Sequence, residues 1–230
     1  MLIWYSSAPD QVMKELTTDL NSGLSEEEAS ERLKSFGQNK LDEKPPRTFL
    51  QRFSSQMKDV MVVILMIAAG VSLGISIYHA MTGGETDWVE PIVILLIVII
   101  NGVLGVVQES RAEAALEALK NLSAPSARVR RGGGLKTIKS TELVPGEVIE
   151  IEAGDMVPAD CRLIHSASFR SDESALTGES VPAEKDAAAD VSKLAPLGDR
   201  VNMAYAGCAV SYGRAKAVVV ETGMNTEMGK

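Results

Sequence analysis

Residues 60–78 read VMVVILMIAAGVSLGISIY, nineteen consecutive positions without a charged side chain. At about 1.5 Å of rise per residue, a helix of that length covers most of a hydrocarbon layer about 30 Å thick. A second run, WVEPIVILLIVIINGVLGVV over residues 88–107, is twenty residues long and broken only by Glu90, Pro91 and Asn101. Both read as membrane spans. Helices this apolar on every side would otherwise need a wrapping core larger than the rest of a 230-residue chain can supply. The first run also lies too far along the chain to be the apolar segment of a cleaved leader.

Charge around the two runs is one-sided. Lys40, Lys44, Arg47, Arg52 and Lys58 precede them, and Arg111, Lys120, Arg128, Arg130 and Arg131 follow, whereas residues 79–87 hold no Lys or Arg. The bias of basic residues toward the cytoplasm therefore predicts a hairpin with both flanks, and both termini, cytoplasmic. Gly83-Gly84 supplies the external turn, and Trp88 stands where an interfacial aromatic belongs.

Composition narrows the class of partner. The net charge is -8, with 45% hydrophobic and 23% charged residues, so disorder and collagen-like repetition are excluded. An acidic chain without a basic face is a poor nucleic-acid binder, because counterion release from phosphates needs clustered Lys and Arg. Cys161 and Cys208 are far apart and lack neighbouring ligands, and His79 and His165 are isolated, so no metal site is expected within the chain.

The flanks carry two kinds of structure. Ser25 followed by Glu28 is a capping box opening a helix that keeps Ala29, Leu33 and Phe36 on one side and stops at Gly37. An earlier helix is expected over about residues 8–20, with Val12, Leu16 and Leu20 inward. Gln108 to Leu122 continues the second span in helical period as a stalk whose Arg111, Glu113 and Glu117 face solvent. From about Ala127 the period changes to two, with Val148–Glu152, Cys161–His165, residues 202–210 and Ala215–Glu221 as strands. Turns are expected at Arg131-Gly132-Gly133-Gly134, Val144-Pro145-Gly146-Glu147, Ala153-Gly154-Asp155 and Tyr212-Gly213, and residues 185–193 read as a surface loop. The fold class is thus a membrane α-helical hairpin plus an all-β domain of distorted jelly-roll or sandwich type, with short N-terminal helices. The domains are 1–50, 51–122 and 123–230.

Residues 172–180 read DESALTGES. A Thr-Gly-Glu-Ser string arises by composition alone, in a chain this long, on the order of once in a thousand. Around it stand Leu143-Val144-Pro145-Gly146-Glu147, residues 154–160 (GDMVPAD) and residues 222–230 (TGMNTEMGK). In this order the stretches resemble the actuator domain of P-type cation-transporting ATPases. Trp88-Val89-Glu90-Pro91 with Gly105-Val106-Val107-Gln108-Glu109, and Gly37-Gln38-Asn39-Lys40-Leu41 ahead of the spans, resemble the calcium-pumping subfamily, of prokaryotic type.

The resemblance implies an integral protein of a prokaryotic plasma membrane, and this chain as about the first quarter of the pump. The remaining domains would be its partners, along with membrane lipid and a transported cation, Ca2+. The phosphorylated Asp-Lys-Thr-Gly-Thr motif, the nucleotide-binding domain and most ion-binding helices lie elsewhere, so ATP and Mg2+ belong to the full-length pump and none is bound by this part alone. Glu179 is implied to orient and deprotonate the water that hydrolyses an aspartyl phosphate. Gly178 would let the backbone approach the phosphate, and Thr177 and Ser180 would hold the turn or touch phosphate. Glu90, an ionisable group inside a span, is a candidate for the ion pathway, while Asn101 reads as an interhelical hydrogen-bonding residue. Lys58 stands where animal members carry a carboxylate, which leaves stoichiometry and counter-ion open. Alternatives are a pump for manganese, sodium, potassium or protons, or a truncated membrane-anchored regulatory module without catalysis.

Overall fold

The computed structural model describes residues 3–42, 47–83, 88–122 and 125–230. Lys44, Gly84 of the expected turn, and the side chains of Glu117 and Lys120 lie outside the described residues. The chain divides into two compact units, Met1–Glu43 with Ala124–Lys230, and Lys44–Ser123.

In the first unit, helix α1 (Pro9–Glu15) is shorter than its apolar spacing predicts. Thr17 takes a positive φ of 48° and Asp19 accepts from the main-chain N–H of Asn21 and Ser22, so the chain turns before Leu20. Val12 is nonetheless fully buried. Helix α2 (Glu26–Phe36) forms as its capping box dictates, with Ser25 and Glu28 satisfying each other's main-chain N–H groups, and it ends at Gly37. Ala29 is buried and Leu33 packs beside it, but Phe36 is exposed.

The rest of this unit is one antiparallel sheet. It comprises β1 (Ser126–Arg131), β2 (Gly134–Lys139), β3 (Val148–Glu152), β4 (Asp160–Asp172), β5 (Ala183–Glu184), β6 (Met203–Ala204) and β7 (Ala209–Glu221). The strand order is β2-β1-β3-β7-β4-β5, with β6 also on β4. The long strands β4 and β7 pair through several register shifts, and such bulges bend a sheet until its faces enclose a core. Val129, Ile149, Leu163, Phe169, Ala217 and Val219 form that core at 0% exposure, each large side chain contributing on the order of 1.5–3 kcal/mol.

Three strand-region expectations are corrected. Tyr212-Gly213 is not a chain-reversing turn but lies inside β7, opposite the bulge at Ser168. Residues 202–210 are not one strand, because Met203–Ala204 pairs with β4, a turn follows at 206–207, and β7 begins at Ala209. Residues 185–193 are not wholly surface, since Lys185, Ala187 and Val191 are buried.

The second unit holds α4 (Val60–Thr82) and α5 (Val89–Leu122), preceded by α3 (Phe49–Gln56). α3 has no counterpart in the sequence reading. Its own capping box, Thr48 with Gln51, opens it, and Arg52 fastens it to α5 through Ser110 (3.0 Å) and Glu113 (2.6 Å). Glu113 is therefore ion-paired rather than simply solvated. A Cβ on Gly102 would sit 2.6 Å from the Phe53 ring and 2.8 Å from the Met57 methyl, so a larger residue there would have to push those side chains aside. Small or branched residues line the buried seam, with Ala69, Ser72 and Ser76 on α4 and Val98, Gly102 and Val106 on α5. The other faces of both helices leave Ile64, Ile67, Ile92, Leu96 and Ile99 exposed.

Candidate functional site

Strand β4 delivers the chain to the candidate loop at Asp172, whose Oδ1 accepts from Ser174 N at 3.1 Å. That contact, with the Ser174 hydroxyl, holds the Asp172 carboxyl below the usual carboxylate range. A single helical turn, α6 (Ser174–Thr177), follows, and Gly178 closes it in the left-handed region at φ 78°. A Cβ on Gly178 would meet nothing within 4 Å, so the local need for glycine is the backbone angle. The chain then returns to the sheet as β5, with Ala183 opposite Ser171 and Glu184 opposite Arg170.

Side chains tie the loop down at its root. Leu176 packs against the buried cluster of Val12, Met203, Tyr205, Cys208 and Val220. Thr177 Oγ1 donates to the Glu173 carbonyl at 3.1 Å and accepts from Glu179 N at 3.3 Å. Thr177 Oγ1 thus bonds to the main chain on both sides of the turn. Gly178, Glu179 and Ser180 are all exposed. The Glu179 carboxylate has no hydrogen bond or ion pair to any described residue, although its main chain is anchored. An exposed carboxylate on an anchored backbone can meet a group presented from outside and accept a proton from a water between them.

The remaining candidates are dispersed. Glu90 lies in the first turn of α5, and Ser72 of α4 donates to its Oε2 at 3.1 Å, so its carboxylate joins the two helices. Lys58 precedes α4, whose N-cap is the neighbouring Asp59, bonded to Met61 N at 2.9 Å. The Asp160 carboxylate accepts from the N–H groups of the distant Ala206 (2.8 Å) and Glu227 (2.7 Å). Burial pushes its pKa up to about 6, against those two N–H donors. Cys161 and Cys208 are free and buried. Among the described residues, no group of three or more His, Cys, Asp or Glu is placed to hold a metal ion.

Sequence reasoning missed Glu173 and Lys185, which lie buried where the loop leaves and rejoins the sheet. Their only sequence signal is two opposite charges flanking the recognisable string, which is common on any surface.

A family model described as the P-type ATPase actuator domain matches residues 121–230, which include the loop and the sheet that carries it. A second, described as the cation transporter/ATPase N-terminus, matches residues 4–72. The chain belongs to the P-type ATPases. Among relatives in this family, a calcium-transporting ATPase 1 of Bacillus cereus is 48% identical over 99% of the chain and 25% of its own length. A probable calcium-transporting ATPase of Trypanosoma brucei brucei is 43% identical over 96% of the chain and 22% of its own length. A sodium/potassium exporting P-type ATPase of Schizosaccharomyces pombe is 38% identical over 99% of the chain and 21% of its own length. The chain thus spans about a quarter or less of these relatives. P-type ATPases are ATP-hydrolysing membrane proteins, and both helices here are long and apolar enough to cross a membrane.

Proposed function

We propose that this chain is the actuator and first membrane hairpin of an ATP-driven calcium pump, in which Glu179 drives hydrolysis of an aspartyl phosphate formed on another domain. The observation that carries this reading is the exposed, unpartnered Glu179 carboxylate on a loop whose backbone is bonded at Thr177 and packed at Leu176. A loop held at its root and open at its tip can be docked against a phosphorylated residue without losing its shape. Glu179 would position the attacking water and take its proton, while Thr177 keeps the turn and Ser180 offers a hydroxyl to phosphate. The positive φ of Gly178 sets the direction in which Glu179 leaves the turn. When bound in the full-length protein, ATP and Mg2+ supply and neutralise the transferred phosphoryl group.

The domain division proposed is 1–50, 51–122 and 123–230, with both flanks of the hairpin in the cytoplasm of a prokaryotic cell. The basic residues on either side of the spans and their absence from residues 79–87 support that orientation. Glu90, bonded to Ser72 between the spans, is proposed to line the ion pathway. Calcium is favoured by the two most similar relatives named above, and export of sodium or potassium is a second reading supported by the 38% identical relative.

The test uses the full-length pump. Glu179→Gln keeps the size of the side chain and removes its basicity, so phosphoenzyme should still form but decay about 10²- to 10⁴-fold more slowly. Decay at the parent rate would overturn the role of Glu179. Phosphoenzyme formation that depends on sodium or potassium and ignores calcium would overturn the choice of ion.

A further inference from the structure

We propose that the buried Glu173–Lys185 ion pair is a clasp that positions the Thr-Gly-Glu-Ser loop, and through it Glu179, for hydrolysis. The proposal rests on the role given to Glu179 above. Glu173 is the last residue before α6 and Lys185 the first after β5, so the two bracket the whole excursion from the sheet. Their side chains are 2% and 0% exposed, and Lys185 Nζ lies 2.6 Å from Glu173 Oε1. Among the described residues, no other hydrogen-bond partner serves the ammonium or either carboxylate oxygen. The ring of Tyr205, itself buried, lies 5.4 Å from the ammonium.

The pair connects to Glu179 through a short series of bonds. The Glu173 carbonyl accepts from Leu176 N and Thr177 N, both at 2.9 Å, and from Thr177 Oγ1 at 3.1 Å. Thr177 Oγ1 in turn receives Glu179 N. On the other side, Lys185 N donates to the carbonyl of Phe169 at 2.9 Å, which ties the return of the loop to the core of the sheet. Where Glu173 sits therefore decides where the turn and Glu179 sit, and Lys185 is what holds the Glu173 side chain.

Stability alone is a poor reason for such a pair. Removing two charges from water is costly, and apolar residues of similar volume in the same place are often as stable or more so. Burial accordingly pushes the Glu173 carboxyl up and the Lys185 ammonium down, each opposed by the other's charge. An apolar pair would fill the space but would not hold the main chain of Glu173 in one register, and a reacting group displaced by about 1 Å can lose 10²-fold in rate.

The experiment is a cycle in the full-length pump. The double variant Glu173→Leu with Lys185→Met removes both charges at similar volume. It should keep the parent Tm and phosphoenzyme level while phosphoenzyme decay slows about 10- to 100-fold. Placed in the Glu179→Gln background, the same double change should slow decay by less than about two-fold more, because a positioning pair acts only through the group it positions. Parent-rate decay in the folded double variant overturns the clasp and leaves Glu179 untouched. Equal slowing in both backgrounds also overturns it, since the pair would then act on something other than Glu179. Parent-rate decay in Glu179→Gln itself removes the reading on which the clasp rests. If the double variant has a lowered Tm, the isosteric Glu173→Gln takes its place in the same cycle. The expected slowing is then about ten-fold, and parent-rate decay again overturns the proposal.

Discussion

The two units treat their apolar side chains in opposite ways. In the sheet unit, Val129, Ile149, Leu163 and Phe169 are sealed at 0% exposure by other parts of the same unit. In the hairpin unit, only 22% of the most apolar window of either long helix is buried, and Ile64, Ile92 and Met61 are 55%, 61% and 68% exposed. One sequence thus contains a core that the chain completes for itself and an apolar surface that it leaves to its surroundings. The lesson is that hydrophobic content says where a chain avoids water, whereas its period says what it will hide behind. Alternation at period two hides a strand's apolar face behind another face of the sheet, and unbroken runs hide all sides of a helix in lipid.

Truncating the sealed core should produce the largest effect. Phe169→Ala is expected to cost about 3–5 kcal/mol of stability, read from denaturant unfolding followed by a probe in the sheet unit. Ile64→Ala, on the exposed side of α4, should leave that transition within about 0.5 kcal/mol. Similar losses for both would erase the distinction between the units. The complementary change is a charge on the lipid side. Ile97→Asp, at mid-span in α5, should disfavour insertion by about 2.5–3.5 kcal/mol in a membrane-insertion reporter assay. Unimpaired insertion would remove α5 from the list of spans.

A smaller effect concerns charge within the sealed unit. Asp160 is 2% exposed, and burial raises its carboxyl from 3.8 to about 6. A carboxyl raised on folding binds more protons folded than unfolded between those values. Its contribution to stability is therefore fully present below about pH 4 and is lost as the pH rises through 6, a change of up to about 3 kcal/mol. The difference in unfolding free energy between parent and Asp160→Asn should accordingly drift against the parent from pH 4 to pH 7. A flat difference would mean that the two N–H donors from Ala206 and Glu227 balance the burial, and a drift in favour of the parent that they outweigh it.

The smallest expected effect is at Asn39. Its amide donates to the carbonyls of Ser140 and Pro158 and accepts from Gly223 N, so one side chain joins the N-terminal segment to three parts of the sheet unit. Asn39→Ala should cost about 2 kcal/mol in the same denaturant experiment, because those groups lose their partner. A loss below about 0.5 kcal/mol would show that water replaces the amide there.

Local chemistry was legible mainly where the deciding partner sits within a few residues. Ser25 and Glu28 announce α2 because a capping box is closed within one turn, and Val148–Glu152 announces β3 because alternation needs no knowledge of the neighbouring strand. The apolar runs over 60–78 and 88–107 announce α4 and α5 for the same reason. The shortening of α1 was not legible, because the apolar spacing of Leu16 and Leu20 continues past Thr17, where the backbone turns. α3 was missed although its capping box, Thr48 with Gln51, closes within one turn, because a helix of two turns carries too short an apolar pattern to stand out and its anchors, Ser110 and Glu113, lie far along the chain from Arg52.

The candidate site divides along the same line. The string from Thr177 to Ser180 stands out only through its resemblance to the P-type ATPases. Its geometry cannot be read that way. That Glu173 and Lys185 form a sealed pair, that Leu176 drops into the cluster around Tyr205, and that Asp160 reaches across to Glu227 all depend on β4 and β7 being bent against each other. By itself, the sequence determined two long apolar helices, a capped N-terminal helix and an alternating β region, because each of these is written in spacing along the chain. Only the tertiary structure decided which charges are buried and paired, because burial is a property of residues brought together from distant positions, and sequence distance carries no record of it.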